Sequence, residues 1–418
     1  MENQQLKTVW IDARHPMGNQ QLWGLTLLER NIREMDKMGF EEAVVLAAAD
    51  DSPSQHFCHR LPDSISVSFV KAGTGNDYQS LIGLLGSSAA PVLVLSGNAL
   101  NDRRVISELI SLPSPYAALA PSGDFKPAAA ACFTKNEAAF IEANKGLELD
   151  AIVKKGLEEG LFPGFDFAAF DPYIKSLRRE IPPYLIKVET QSDYGDANRY
   201  LKLTVHKGTN DFVAKYIHPP FEFGITKLLA TTPVIPNHVT FLGIALSATT
   251  VYCFATGQVL LGAVLAATKG ILDGVDGKLA RFLLKYSKFG DLLDHVSDTI
   301  FDALWYLALG WFFSQGDWSS PAACYTMILF VSYWVERIVP GLFKKVHKYE
   351  IYDFSPIDRF SRLIGSRMNN NVWVLLIATL FGYAQPAFYF ISIWMLVTAA
   401  WHTFRFAYVT LFKVERKN

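Results

Sequence analysis

The stretch ILDGVDGKLARFLLKYSKFGDLLDHVSDTIFDALWYLALGWFF, Ile271 to Phe313, begins with dense carboxylates and ends as unbroken apolar helix. It carries Asp273, Asp276, Asp291, Asp294, Asp298 and Asp302. One aspartate at the centre of a spanning helix costs roughly 2.5 to 3.5 kcal/mol on insertion scales, so a cluster calls for a compensating cation. On an α-helix, Asp273, Asp276, Gly277 and Ala280 fall at i, i+3, i+4 and i+7 and share a face. Gly290, Asp294 and Asp298 do the same at i, i+4 and i+8 of the next helix. Two antiparallel helices joined by a short basic turn would aim Asp273, Asp276, Asp294 and Asp298 at one space. Such hard oxygen ligands suit magnesium, manganese or calcium and do not suit zinc or copper. The small residues Gly277, Ala280 and Gly290 allow close helix packing or a flat ligand against the backbone. Arg281 offers a bidentate fork to a phosphate. Metal, phosphate and a planar slot together point to a nucleotide diphosphate.

Asp273, Asp276, Gly277, Ala280, Arg281, Gly290, Asp294 and Asp298 match, without gap or substitution, the pattern DxxDGxxARx8GxxxDxxxD. The chain thus resembles the CDP-alcohol phosphotransferase family over roughly its last 200 residues, with PNHVT (Pro236–Thr240) similar to the start of that family's first span. The resemblance implies that Asp273, Asp276 and Asp294 bind metal ions, two of Mg2+ or Mn2+, with Asp298 completing the site and acting as general base. It implies that Arg281 and Ser287 contact the CDP phosphates and that Gly277 and Ala280 make room for cytidine. It implies transfer of a substituted phosphoryl group from a CDP-alcohol donor to an acceptor hydroxyl, with release of CMP, and a homodimer as in many relatives. Acidic pairs in membrane helices also serve ion pathways, so a cation transporter is the class alternative. Strict spacing, interleaved glycines and Arg281 fit that alternative less well.

Those helices need a bilayer. Of 418 residues 50% are hydrophobic, and the apolar content is concentrated beyond Pro236. Six spans of the length a bilayer requires are expected at 238–256, 259–281, 289–313, 321–343, 370–384 and 387–412. Alternate connections, near 257, 314–320 and 382–386, lack Lys and Arg, whereas Arg281, Lys285, Lys288, Lys344, Lys345, Lys348, Arg359, Arg362 and Arg367, with Lys413, Arg416 and Lys417 at the tail, lie on the other side. That asymmetry, with an N-terminus unlike a signal peptide, predicts a multi-pass protein of the inner or plasma membrane with its first half and active site cytosolic. The net charge of −1 argues against a nucleic-acid partner. Cys58, Cys132, Cys253 and Cys324 are too scattered for a zinc site or a disulfide framework. Phe221, Ile225, Leu228 and Leu229 predict a helix that lies on the membrane surface or packs as a linker. Asp302 extends the Asp294 and Asp298 stripe and has Lys269 as a potential partner, while Asp291 and His295 read as solvated or structural groups. Arg359, Arg362 and Arg367 have the chemistry to hold an anionic acceptor, and also that of topology charges.

The expected organisation is an α/β domain over 1–195, a juxtamembrane helical linker over 196–235 and an all-α membrane domain over 236–418. Strands are read at TVWIDA, EAVVLAAA, SISVSFV and PVLVLSG, with helices at LTLLERNIREMDKMGF and DYQSLIGLL. The order resembles sugar-phosphate nucleotidyltransferases, and the fusion resembles bifunctional inositol-phosphate cytidylyltransferase/di-inositol-phosphate phosphate synthases. The pattern departs where chemistry would occur. The loop ARHPMGNQQLWG has only Gly18 and Gly24, Asn98 stands where a metal-binding aspartate is expected, and Asp102 is out of register. A degenerate domain is the expectation, with an active cytidylyltransferase as the alternative.

Overall fold

The computed structural model describes residues 6–57, 59–73, 78–121, 123 and 125–414. Cys58, Asp77 of the expected DYQSLIGLL helix, and the tail cations Arg416 and Lys417 lie outside the described residues, as does the Lys288 side chain. The chain forms two compact units. One comprises the chain to Tyr173 with Glu180–Thr204 and Phe282–Leu284, and the other comprises Ile174–Arg179, Val205–Arg281 and the chain from Lys285 on.

Alternation of apolar side chains builds the first unit. In β1 (Thr8–Ala13), Val9 and Ile11 enter one core while Trp10 enters another on the opposite face, as period-two geometry requires. β1 lies parallel to β2 (Glu42–Ala47) and to β4 (Val92–Ser96), and β2 lies parallel to β3 (Ser66–Lys71). β5 (Tyr116–Leu119) and β6 (Ala129–Phe133) add antiparallel strands, so the six-stranded sheet runs β3-β2-β1-β4-β6-β5. Leu28, Ile32 and Met35 of α1 (Leu27–Lys37) and Val105, Ile106 and Leu109 of α3 (Arg103–Ser111) cover one face. Leu81 and Leu85 of α2 (Gln79–Ser87) and Leu149, Ile152 and Val153 of α4 (Leu149–Glu158) cover the other, and α5 (Gln191–Val205) follows in the chain. The result is a three-layer α/β sandwich with a mixed sheet, in which all four expected strands are present. Asp102 caps α3 by accepting the Arg104 backbone N–H at 2.9 Å, which accounts for its place outside the cleft register.

Helices make the second unit: α6 (His218–Ala230), α7 (Pro236–Ala255), α8 (Val259–Phe282), α9 (Lys288–Ser314), α10 (Pro321–His347), α11 (Pro356–Ile364), α12 (Met368–Leu380) and α13 (Ala384–Leu411). Gly257, at φ +81°, turns α7 into α8; a side chain there would meet the Phe312 ring at 2.3 Å. Each expected span coincides with a helix. Three of them, α7, α10 and α13, are long and apolar enough to cross a membrane among the described residues. Aspartates and Lys269 depress the apolarity of α8 and α9, and α12 has only 13 residues. Outward side chains such as Leu261, Val331, Ile338, Val397 and Leu411 are exposed, a surface suited to lipid rather than water. In α6 the pattern is inverted, with His218, Glu222 and Thr226 buried while Phe221 and Leu228 are exposed. That distribution fits a helix lying on a bilayer with its polar face turned to protein.

Candidate active site

The carboxylates sit where α8 and α9 face one another. Asp273, Asp294 and Asp298 each present an oxygen within 4.8 Å of the other two. Hard, negatively charged oxygens at that spacing repel one another unless a cation lies among them, and the set fits magnesium or manganese. Lys269, one turn before Asp273, is bonded to Asp298 and lies 3.8 Å from Asp273. Asp276 is not in the trio. Its Oδ2 accepts the Thr240 hydroxyl at 2.6 Å, a bond between two buried groups of α8 and α7.

Two cavities flank the cluster. The smaller, about 130 Å3, is lined by Asp276, Gly277, Ala280, Arg281, Ser287 and Asp294, together with Asn237 and Thr240 from α7. The larger, about 260 Å3, is reached by Asp273, Asp298 and, again, Arg281. Every residue assigned from the sequence to the metal or the CDP therefore borders one cavity or the other, with Arg281 on both. Arg281 Nε donates to the Val205 carbonyl at 2.9 Å, which fixes the guanidinium across the Gly277 side of α8. The Ser287 hydroxyl caps α9 by accepting the Gly290 N–H at 3.0 Å. A side chain at Gly290 would stand 2.8 Å from the Asn237 amide oxygen, so its glycine keeps the mouth of the smaller cavity open.

Asp302 pairs with Arg337 at 2.9 Å rather than with Lys269. Asp291 and His295 form an exposed i,i+4 pair at 3.6 Å, with Asp291 on the border of the smaller cavity. Arg359 is bonded to Asp353 at 3.0 Å, and Arg367 donates to the Tyr352 hydroxyl at 3.2 Å. Glu336 accepts from His402 at 2.7 Å, and Arg405 grips Asp358 with two bonds of 2.7 and 2.8 Å.

The sequence alone did not single out Thr240 as the anchor of Asp276, nor Glu222. Glu222 of α6 is buried against α8 in an ion pair with Lys278 and borders the larger cavity. Gly274 makes room for it, since a Cβ there would lie 2.0 Å from Oε1. The glycine inside the helix, between Asp273 and Asp276, was the available signal. Arg178, His206 and Lys207 also border this cavity. Burial, reinforced by Lys278, Arg179 and Arg281, pushes the His206 imidazole down to about 4, so it is neutral near pH 7.

The first unit has its own cleft, about 360 Å3, where β1 and β4 end, bordered by Asp12, Arg14, Ser96, Asn98, Asp150 and Lys187. Its cations are occupied. Arg14 holds both Asp12 oxygens at 2.8 and 2.6 Å, and Lys187 lies 2.6, 2.6 and 2.8 Å from Glu148, Asp150 and Glu189. Burial alone would lower the Lys187 ammonium, yet Asp150, Glu148 and Glu189 hold it above its ordinary range. Asn98 donates its amide to the Val188 carbonyl at 2.9 Å.

Residues 233–403 match the family model described as CDP-alcohol phosphatidyltransferase. A protein from Aquifex aeolicus named bifunctional IPC transferase and DIPP synthase is 28% identical over 217 residues, 50% of this chain and 47% of that protein. Archaetidylinositol phosphate synthase of Pyrococcus horikoshii is 38% identical over 88 residues, 21% of this chain and 47% of that protein. The chain thus spans less than half the length of these curated relatives. The solved inositol-1-phosphate CTP transferase from T. maritima aligns at 9% identity and a TM-score of 0.35, over 48% of this chain and 97% of that one. Residues 233–403, which contain the whole aspartate cluster and both walls of the smaller cavity, are thus the part of the chain that is similar to the CDP-alcohol phosphatidyltransferase family.

Proposed function

We propose that the chain is an integral membrane phosphotransferase that moves a substituted phosphoryl group from a CDP-alcohol to an acceptor hydroxyl and releases CMP. The observation that carries this reading is the convergence of Asp273, Asp294 and Asp298 between two cavities, one bordered by Gly277, Ala280, Arg281 and Ser287 and the other open to a second substrate. The donor's cytidine and phosphates fit the smaller cavity, where Gly277 and Ala280 leave the α8 backbone bare and Arg281 reaches the phosphates. Asp273, Asp276 and Asp294 would hold magnesium or manganese, which when bound spreads the charge of the breaking phosphoanhydride. Asp298 borders the acceptor cavity, and Lys269 holds one of its oxygens, leaving the other to take the hydroxyl proton. The acceptor we favour is a polyol phosphate of the inositol phosphate kind. A basic wall containing Arg362 and Arg367 supports it, as do the relatives' names. Six spans, a cytosolic face for the site and a homodimer belong to the same reading, supported by the positive-inside charge distribution and by the family.

In this reading the first unit is a degenerate nucleotidyltransferase-like domain. A triphosphate needs unpaired cations, and the cleft's Arg14 and Lys187 are neutralised by neighbouring carboxylates. The test of the whole reading supplies purified full-length protein in detergent with Mn2+, a panel of CDP-alcohols and a panel of polyols and polyol phosphates, and measures CMP by mass spectrometry. CMP formed only when both substrates are present is expected. Metal-dependent ion flux in liposomes without CMP would replace this reading with the transporter one.

A further inference from the structure

The larger cavity separates its charges. Around the aspartate trio the ionic groups are matched: Asp298 with Lys269, Asp302 with Arg337, Glu222 with Lys278. The remaining wall gathers Arg178, Lys207, Arg362 and Arg367, with Asp211 as the carboxylate beside them. Asp211 is already engaged, accepting the Ala214 N–H at 3.0 Å and the Asn369 amide at 3.4 Å. No ion pair among the described residues involves Arg178, Lys207 or Arg362. Arg362 is the sharpest case. It is only 9% exposed, it stacks 4.3 Å over the Tyr352 ring, and its Nε and Nη1 are buried with no hydrogen-bond partner. A buried guanidinium with two unpartnered donors, in a residue that borders a cavity, is unfavourable unless an anion comes near it. Burial, with Arg367 and Arg178 close by, pushes its pKa down to about 10. Lys207 is lowered likewise, by lost solvation and then by Arg178, Arg281 and Arg362, although part of its surface meets solvent.

Two of these cations come from outside the family segment. Arg178 closes a turn, its N–H donating to the Ile174 carbonyl at 2.8 Å, and holds the left-handed φ of +52°. The Gly208 N–H donates to the Leu177 carbonyl at 2.8 Å, and a Cβ on Gly208 would stand 2.5 Å from the Arg178 carbonyl oxygen. The turn is thereby pinned against the loop that carries Lys207. Like charges gathered on one wall, two of them held by such backbone contacts, repel, and the repulsion is relieved by a multivalent anion.

We infer that Arg178 and Lys207, upstream of the family segment, complete with Arg362 a binding site for the phosphate of the acceptor, and that they set the preference for phosphorylated over unphosphorylated acceptors. The inference rests on the phosphotransferase reading above and deepens its acceptor side. These are binding residues. Proton transfer stays with the aspartates.

The experiment is calorimetry on the full chain in detergent with Mn2+, titrating inositol 1-phosphate and, separately, inositol, and measuring CDP as an internal standard. Wild-type protein is expected to bind inositol 1-phosphate at least tenfold more tightly than inositol. Arg178→Asn, which tolerates the left-handed backbone, and Lys207→Gln are each expected to weaken inositol 1-phosphate about tenfold while moving CDP affinity less than about twofold. Gly208→Ala removes no charge but displaces the turn, and is expected to act in the same direction. Lys207→Arg should restore binding. Equal affinities for the phosphorylated and free polyol, or variants that bind inositol 1-phosphate as wild type does, would overturn the inference. Phosphate-dependent binding without CMP release in the turnover assay would leave this site standing and remove the proposed reaction instead.

Discussion

Replacing Thr240 by valine deletes one hydroxyl and adds a methyl of nearly the same size, so it isolates the bond to Asp276. Thr240 and Asp276 are 8% and 7% exposed, and their 2.6 Å bond ties α7 to the carboxylate that borders the smaller cavity, the proposed nucleotide site. A hydrogen bond to a charged, buried acceptor contributes about 1.5 to 3 kcal/mol. That energy must reappear somewhere. If Asp276 keeps its place without its partner, the folded protein loses about 1.5 to 3 kcal/mol, because an acceptor is left buried and unsatisfied. If Asp276 swings away, folding is spared and the loss falls on metal-dependent nucleotide binding, a decrease of roughly 10- to 150-fold at 1.4 kcal/mol per factor of ten. The assay pairs thermal unfolding in detergent with calorimetric titration of CDP in the presence of Mn2+, on wild type, Thr240→Val and Thr240→Ser. Serine keeps the hydroxyl and should recover most of the loss. A valine variant with both wild-type stability and wild-type CDP affinity would refute the assignment of Asp276 to the site and of Thr240 as its anchor.

Asp298→Asn is expected to abolish CMP formation while CDP binding stays largely intact, and Asp273→Ala to lose the metal dependence of that binding; CMP release by the Asp298 variant would remove its role as base. Gly274→Ala should destabilise the protein by about 1 to 3 kcal/mol, since its Cβ would collide with the Glu222 carboxylate held by Lys278, whereas Gly243→Ala, with nothing within 4 Å, should be neutral or stabilising. Equal unfolding temperatures for the two alanine variants would contradict the close packing of α6 on α8. Because the His206 pKa is depressed to about 4 by burial and neighbouring cations, its contribution to stability is complete above the unfolded value of about 6.5 and is lost as pH falls toward 4. His206→Gln should flatten the stability profile across that window by about 1 to 3 kcal/mol, allowing for its partial exposure, and parallel profiles would dismiss the effect. The full chain given CTP, Mg2+ and inositol phosphate should release no pyrophosphate, and release would mark the first unit as an active cytidylyltransferase.

Strong periodicities were legible from the outset. Strands such as TVWIDA and PVLVLSG declared themselves by β-branched and aromatic content, and the helices beyond Pro236 by apolar length. The antiparallel strands at 116–119 and 129–133 escaped, because Ala129, Ala130 and Ala131 favour helix locally and become strand only by pairing with β4 and β5. Spans were legible as helices, yet the carboxylates assigned to the proposed site reduce the apolarity of α8 and α9, so only α7, α10 and α13 stand out by composition among the described residues.

By itself the sequence determined which aspartates could share a face, because helical spacing is a local rule that eight matched positions satisfy together. It also pointed to the ligand chemistry proposed above, since carboxylates, bare glycines and one arginine admit few chemistries. Only the tertiary structure decided that Asp276 turns to Thr240 while Asp273 joins Asp294 and Asp298, that Glu222 fills the notch at Gly274, and that Arg178 and Lys207 share a cavity wall with Arg362. Those partners lie 21 to 184 residues apart in the chain. No local spacing links groups so distant, and what brings them together is the packing of buried faces and the pairing of buried charge.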